Sequence, residues 1–214
     1  MTEREPLSVR IGRRFARLVT NQVVRRPRLW RVFRSPLRMQ FEQLAPRWDE
    51  ILMPDHLAPY EAALEAVEPA PRRALDLGTG TGSGAFAIVR RFPEVEVIGI
   101  DLAPAMINEA RRKTPPELAE RVRFEVGDAS RLAERDGAFD LVAHANMIPF
   151  FDELDRVLAP GGMAIFAFSG GAETPIYVPS ERLRAELGRR GFTDFAEFST
   201  DRGNAFLARK GHPG

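Results

Sequence analysis

The chain has 214 residues, 44% of them hydrophobic, which is enough for one full α/β core, and it has no cysteine, which excludes disulfide bonds and thiolate metal sites. Its net charge of +1 hides an asymmetry, because residues 1–40 carry eleven arginines and two glutamates (net +9) and the rest carries −8. No apolar run reaches the ~18 residues that cross a membrane, and the arginine-rich start lacks the apolar core of a secretory signal, so we expect a cytoplasmic protein.

Two basic amphipathic segments are predicted at the start of the chain. The first is a helix whose apolar positions recur at helical spacing opposite its arginines, namely Leu7, Ile11, Phe15, Leu18 and Val19. Pro27 breaks this helix, and a second apolar and basic segment runs from Leu29 to Pro36. We interpret both as a helical extension that packs on the domain or on a second subunit, as in a homodimer. Weak contact with a membrane surface through residues 1–40 and a nucleic-acid arm are the alternatives.

A strand, a tight turn and a helix are predicted around residues 74–89. A short apolar run containing Asp76 is followed by glycines at alternate positions, from Gly78 to Gly84, and then by an apolar helix. Glycines allow positive φ and close approach of a ligand, and the helix directs free N–H groups at the turn. The same residues fit the degenerate dinucleotide fingerprint, but a pyrophosphate would be repelled by Asp76. A ligand with a cationic group suits this site better.

Two further strands also end near an acid. Residues 95–101 end in Asp101, which is placed to accept hydrogen bonds from ribose hydroxyls. Because a nicotinamide dinucleotide and an adenosyl sulfonium both carry such a ribose, Asp101 does not choose between them. Residues 122–126 are followed by Asp128, where an adenine amino group could be held. This third acid favours the adenosyl compound.

The second half of the chain alternates predicted helices and strands, and it contains the candidate base. His144 follows the fourth strand, at the edge where open α/β sheets keep their ligands, so it could act as a general base. A histidine that bonds backbone or only lines the pocket is the alternative reading. The predicted strands are residues 139–143, 163–168, 192–199 and 205–209, and the helices are residues 104–113, 149–158 and 180–190.

The three acids at successive strand ends, followed by Phe139-Asp140-Leu141-Val142 and Leu158-Ala159-Pro160-Gly161-Gly162, closely resemble the class I S-adenosylmethionine-dependent methyltransferases. The resemblance runs from about residue 41 to 210 and is nearest to the small-molecule type of ubiquinone and menaquinone biosynthesis. It implies an α/β, Rossmann-like three-layer sandwich with a seven-stranded, mostly parallel sheet whose last strand is antiparallel. It also implies a methyltransferase domain over residues 46–210, preceded by the helical extension 1–45 and followed by a tail, 211–214.

The same resemblance assigns residues to the cofactor S-adenosylmethionine and its product S-adenosylhomocysteine, with no metal. Trp48 would sit near the sulfonium by analogy, although it could equally anchor its segment on the sheet edge. The remaining assignments are Asp76, Gly78, Thr79, Gly80 and Gly82 for the methionine part, Asp101 for the ribose, Asp128 and Ala129 for the adenine, Leu102 and Met106 for the adenine pocket, and Ala145 for the cofactor site as a whole.

The implied activity is methyl transfer to a small-molecule acceptor, such as an apolar ring or lipid-like compound, by in-line displacement. DNA is not expected as a substrate, because residues 144–147 read His-Ala-Asn-Met in place of the Asp/Asn-Pro-Pro-Tyr/Phe motif of base-modifying members. A non-catalytic S-adenosylmethionine-binding or partner-docking protein of the same fold is the main alternative. A nicotinamide-dependent oxidoreductase is disfavoured because it gives Asp76 and Asp128 no role.

Overall fold

The computed structural model describes residues 7–212 of the chain, and it describes side chains from residue 14 onward. Seven strands form one sheet in the order β3-β2-β1-β4-β5-β7-β6. Strand β7 runs antiparallel to both of its neighbours, and the other pairs are parallel. The predicted sheet is therefore confirmed. Its strands are β1 (Arg73–Leu77), β2 (Glu96–Asp101), β3 (Val122–Val126), β4 (Phe139–Ala145), β5 (Leu158–Phe168), β6 (Phe192–Ser199) and β7 (Asn204–Lys210).

Helices cover both faces of the sheet. Helices α1, α7 and α8 contribute to the core on one face, and α4, α5 and α6 contribute to the core on the other. The predicted three-layer sandwich is therefore confirmed. The α-helices in residues 7–212 are α1 (Leu7–Arg25), α2 (Trp30–Leu44), α3 (Trp48–Ile51), α4 (Ala58–Glu65), α5 (Ser83–Arg91), α6 (Pro104–Lys113), α7 (Phe151–Val157) and α8 (Ser180–Gly188).

The central strands are buried on both faces, which explains their continuous apolar sequences. In β4, Leu141 and Ala143 enter the core under α4 and α5, and Val142 between them enters the core under α7 and α8. Because side chains alternate along a strand, His144 lies on the same face as Val142. Within residues 7–212, no helix has both the length and the apolar content needed to cross a bilayer.

Helix α1 is present as predicted, but only part of its predicted apolar stripe is buried. Val19, Val23 and Val24 pack into the core, whereas Phe15 and Leu18 remain 59% and 57% exposed. The helix therefore packs on the core through its second half, and of the predicted stripe residues whose side chains are described, only Val19 is buried. Leu7 and Ile11, which belonged to that stripe, lie outside the residues whose side chains are described.

Helix α2 corrects the prediction that the second basic segment ends at Pro36. The helix continues through Pro36 to Leu44, although a proline there removes one backbone hydrogen bond. Burial of Trp30, with Phe33 and Leu37 packed against the same core, favours the longer helix. The predicted domain boundary at 45/46 falls inside a short 3-10 turn, Ala45–Arg47. This boundary remains a prediction, and residues 213–214 of the predicted tail lie outside the described part of the chain.

Candidate functional site

The glycine-rich turn between β1 and α5 forms the centre of the candidate site. Gly78, Gly80 and Gly82 have φ values of +64°, +54° and +95°, which only glycine adopts without strain. The Thr79 N–H donates to the Ile100 carbonyl across the turn (3.0 Å), so the turn is fixed to the end of β2. The Phe86 N–H bonds the Gly82 carbonyl and begins α5. The first N–H groups of α5 consequently face the carboxyl edge of the sheet.

Asp76 is buried under this turn. Its carboxylate accepts hydrogen bonds from the Tyr60 hydroxyl (2.9 Å) and the Thr79 hydroxyl (2.6 Å), and only 2% of the residue is exposed. Burial raises the pKa of Asp76 to about 6, against the opposing effect of its bonds from Thr79, Tyr60 and the Ala85 N–H. Asp76 thus joins the turn to α4 and α5. Direct contact with a ligand would require one of these hydrogen bonds to be exchanged.

Asp101 connects the end of β2 with the same turn. Its carboxylate accepts hydrogen bonds from the Gly80 N–H (3.0 Å) and the Ala103 N–H (2.9 Å). Burial raises the pKa of this carboxyl, although both backbone donors oppose the shift. The two acids at the ends of β1 and β2 therefore meet at one turn. The ribose contact assigned to Asp101 stays a prediction.

Trp48 lies directly over the turn. Its indole Nε1 is 3.3 Å from the point that a Cβ on Gly80 would occupy. The neighbouring Asp49 accepts a hydrogen bond from the Thr81 hydroxyl (2.6 Å) and pairs with Lys113, so α3 is tied to the turn and to α6. The sequence prediction placed Trp48 near the site but did not identify these two contacts.

Met147 packs on the other end of the turn and was not predicted. Its sulfur is 2.9 Å from the point that a Cβ on Gly78 would occupy. The signal for it in the sequence was its position just after β4. Asn146, with a φ of +52°, bonds Ser169 through its side-chain amide and so joins the ends of β4 and β5 beside Met147.

Asp128 is covered by the N-terminal helices. Its Oδ1 accepts hydrogen bonds from the Trp30 indole N–H (2.8 Å) and the Ser130 N–H (2.9 Å), and Arg34 lies 3.7 Å from its Oδ2. Trp30 also stacks edge-on against Phe150 at 5.2 Å between ring centroids. The only indication in the sequence of the hydrogen bond between Trp30 and Asp128 was that a tryptophan stands among the arginines.

The predicted adenine-pocket residues lie on two sides of Asp101 and Asp128. Met106 is 1% exposed and packs with Ala45 and Ala103, while Leu102 and Ala129 are partly buried against the core under α1. Helix α2 and the 3-10 turn after it therefore cover the start of α6. Their roles toward a cofactor stay predictions.

His144 lies beside the start of the turn in the sheet, because it pairs in register with Leu77, the residue before Gly78. The ring is fully buried, it contacts Phe166 edge-on at 4.8 Å, and neither nitrogen has a hydrogen-bond partner among the residues that the structure describes. Burial lowers the pKa of His144 to about 3, so the ring is neutral at neutral pH. Ala145, one residue on, is half-buried at the end of β4. In residues 7–212 no three acidic or histidine side chains meet in a group that could hold a metal ion.

Comparison with known proteins shows which proteins this chain is similar to. Residues 74–162 match the family described as a methyltransferase domain. The chain is 41% identical over 140 residues to the demethylmenaquinone methyltransferase of Thermus thermophilus, covering 58% of this chain and 62% of that protein. It is 35% identical over 147 residues to the malonyl-[acyl-carrier protein] O-methyltransferase of Halorhodospira halophila, covering 64% and 49%.

Residues 74–162 form a methyltransferase domain, and the chain is similar to the class I S-adenosylmethionine-dependent methyltransferases. A crystal structure of an S-adenosylmethionine-dependent methyltransferase from Aquifex aeolicus shares the fold of this domain, with a TM-score of 0.63 at 17% identity over 77% of this chain and 97% of that one. The predicted superfamily and its cofactor are thereby confirmed. The chain spans less than two thirds of the length of the two curated relatives described above.

Proposed function

We propose that this chain transfers a methyl group from S-adenosylmethionine to a small-molecule acceptor by in-line displacement. The observation that carries the proposal is the hydrogen bond from the Gly80 N–H to Asp101, in a segment that matches the methyltransferase family. This bond places the glycine turn and the acid after β2 at one point of the sheet edge. A methionine part and a ribose of the same molecule could be held there together.

The residues present fit this cofactor. The positive φ values of Gly78 and Gly80 leave the turn without a Cβ where a ligand approaches. The Asp101 carboxylate is an acceptor for vicinal hydroxyls, and the Asp128 Oδ2 could accept from an adenine amino group. Leu102 and Ala129 are partly buried and could provide apolar contact for a ring, whereas Met106 is 1% exposed and could do so only if its cover moved. The cofactor role of Ala145 remains a prediction.

The cofactor supplies an electrophilic methyl group, so the protein has to position the acceptor and exclude water. Trp48 and Met147 lie against the turn from two sides and form walls that would limit water at the reacting atoms. The Asp49 bonds to Thr81 and Lys113 keep the Trp48 wall in place.

The general-base role of His144 remains a prediction, and its burial opposes it. A base must come within about 3 Å of the proton that it removes. The fully buried ring could do so only if the covering helices moved. An acceptor that is already ionised, such as a carboxylate or a phenolate, needs no base from the protein.

We also propose that the N-terminal helices contact a membrane surface or a second copy of the chain, and that the protein is cytoplasmic. Phe15, Leu18, Val32 and Met39 are exposed apolar side chains on the two arginine-rich helices, which supports contact with a membrane surface or a second copy of the chain. Flotation with anionic vesicles and sedimentation of the free protein would separate these two. A cytoplasmic location agrees with the biosynthetic relatives, and DNA is still not expected as a substrate.

The function is tested by acceptor-dependent formation of S-adenosylhomocysteine, measured by mass spectrometry. The acceptors should include quinols and carboxylates, the classes named by the relatives, together with phenols and amines. We expect turnover with at least one class, and we expect Gly80→Val to abolish it because the turn requires positive φ at this position. The non-catalytic alternative predicts cofactor binding without turnover on any acceptor. Failure to bind the cofactor would contradict both.

A further inference from the structure

A cavity of about 860 Å³ lies between the N-terminal helices and the layer formed by α7 and α8. It is separate from the glycine turn, because neither the turn, nor Asp101, nor Trp48 lines it. Asp128 is the one predicted cofactor residue in its wall. Trp30, Phe150 and Phe151 give the cavity an apolar side.

Arginine dominates the polar lining of this cavity. Seven arginines reach it from three separate stretches of the chain, so the fold, rather than one basic helix, brings them together. The first stretch runs from the end of α1 into α2, the second is the connection from β3 to β4, and the third is α8 with the turn that follows it. The seven residues are Arg25, Arg28, Arg31, Arg34, Arg131, Arg182 and Arg190.

The four acids of the lining neutralise only part of the charge of these arginines. Asp152 and Glu186 are both paired with Arg190, at 2.6 and 3.1 Å. Glu153 is paired with Arg156, which lies outside the cavity. Asp128 is bonded to Trp30 and lies near Arg34.

Most of the lining arginines are therefore left without an acidic partner. Within the described part of the chain, five of the seven form no ion pair with a carboxylate, and none of the five donates a side-chain hydrogen bond. These five are Arg25, Arg28, Arg31, Arg131 and Arg182. Together they leave an excess of positive charge in a concave site.

Guanidinium groups bind phosphate and carboxylate through paired N–H donors, and several converging arginines select ligands with more than one anionic group. The volume falls within the ~300–1,000 Å³ typical of small-molecule sites. A flat bilayer would instead meet the exposed Val32 and Met39, which do not line the cavity.

We propose that this cavity binds a small polyanion that carries at least two phosphate or carboxylate groups. The anionic groups bind Arg28, Arg131 and Arg182, and any apolar part of the ligand lies on Phe150 and Phe151. The polyanion is either part of the methyl acceptor or a separate ligand, and both have the same chemistry at these arginines.

The test is calorimetric titration of the full chain with inorganic triphosphate and with citrate. The cavity variant is Arg28→Gln/Arg131→Gln, and the matched control is Arg38→Gln/Arg135→Gln. Both variants remove two exposed charges, one from the N-terminal helices and one from the β3–β4 connection, but the control positions do not line the cavity. Circular dichroism verifies that both variants fold.

We expect saturable one-to-one binding of at least one of these anions. The affinity should fall about tenfold or more in the cavity variant and stay within about twofold in the control, because only the cavity variant removes charge-assisted contacts to the anion. Equal losses in both variants, no saturable binding by the wild type, or binding only to anionic vesicles or DNA would overturn the proposal.

Turnover assays distinguish the two sources of the anion. A polyanionic compound that the wild type methylates, and that the cavity variant uses with a raised KM, is the acceptor. A compound that binds without being methylated is a separate ligand. Because binding is measured without S-adenosylmethionine, failure of this proposal is independent of failure of the proposed methyl transfer.

Discussion

The two faces of the sheet each bury a titratable side chain, and they treat it in opposite ways. Under α4 and α5, Asp76 is surrounded by donors from Tyr60, Thr79 and the Ala85 backbone. Under α7 and α8, both ring nitrogens of His144 face apolar surroundings without a partner in the described structure. Burial costs free energy chiefly where a polar group has no hydrogen-bond partner. Removing Asp76 would leave its donors unpaired, whereas removing His144 would leave no group without a partner.

The turn is therefore tied down by a hydrogen-bonded carboxylate, whereas the core under α7 and α8 contains a neutral imidazole without a hydrogen-bond partner in the described structure. Substitutions on the two faces should differ in the size and sign of their effect on the free energy of unfolding.

Replacing Asp76 by leucine should destabilise the protein most. The change leaves the Tyr60 hydroxyl and the Thr79 hydroxyl buried without their acceptor, at about 1–3 kcal/mol for each group. We expect a loss of roughly 3–5 kcal/mol in the free energy of unfolding, measured by urea denaturation. A loss below about 1 kcal/mol would show that Asp76 does not hold the turn.

Gly84→Ala should disturb the same carboxylate from α5. A Cβ at this position would lie 2.7 Å from the Asp76 Oδ1, so the carboxylate must shift away from its donors. We expect a loss of about 1–3 kcal/mol by urea denaturation. Gly188→Ala is the control, because a Cβ there meets nothing within 4 Å and helix propensity favours alanine. Equal effects of both changes would contradict the close packing of Asp76 against α5.

Asp76 and His144 should make the free energy of unfolding depend on pH in opposite directions. Asp76 has a folded pKa of about 6, above its ordinary 3.8, so its contribution to stability is present at low pH and is lost as pH rises through 6. His144 has a folded pKa of about 3, below its ordinary 6.5, so its contribution is present above pH 6.5 and is lost as pH falls toward 3. Between these limits the two effects offset each other.

Single substitutions should separate the two pH dependences of the free energy of unfolding. Relative to wild type, Asp76→Asn should lose stability on acidification below pH 6, and His144→Phe should gain it, each by about 1 kcal/mol per pH unit. Urea unfolding at several pH values measures both, and surface carboxylates cancel in the comparison with wild type. Parallel curves for the three proteins would contradict the opposed titrations.

At neutral pH, His144→Phe should change stability least. The substitution removes two unpaired nitrogens and keeps an aromatic ring beside Phe166, so we expect a change within about 1 kcal/mol and toward stabilisation. Tyr60→Phe, which removes one donor to Asp76 on the other face, should cost about 1–2 kcal/mol. A larger loss for His144→Phe than for Tyr60→Phe in thermal unfolding would reverse the contrast between the faces.

The sequence was most informative where local chemistry determines structure. Alternating glycines and an acid near the end of each strand predicted the turn and the first strands, and the family resemblance implied the seven-stranded sheet. The contacts made by Trp30, Tyr60 and Met147 could not be read in this way, since each joins elements far apart in the chain. In α1, Val19 of the predicted stripe is buried but Phe15 and Leu18 are exposed, because helical spacing does not reveal which half of a helix packs on the core.

Binding of S-adenosylmethionine to a pair of matched acid variants is the sharpest test of whether the glycine turn and Asp101 form the cofactor site. Asp101 and Asp140 each accept two backbone N–H bonds, but Asp101 lies at the carboxyl edge beside the turn, whereas Asp140 lies near the start of β4 and bonds Arg72 and Arg73. By calorimetry, we expect wild type and Asp140→Asn to bind S-adenosylmethionine with similar affinity, and Asp101→Asn to bind at least about tenfold more weakly. Equal affinity in all three proteins, or no binding by the wild type, would contradict the account.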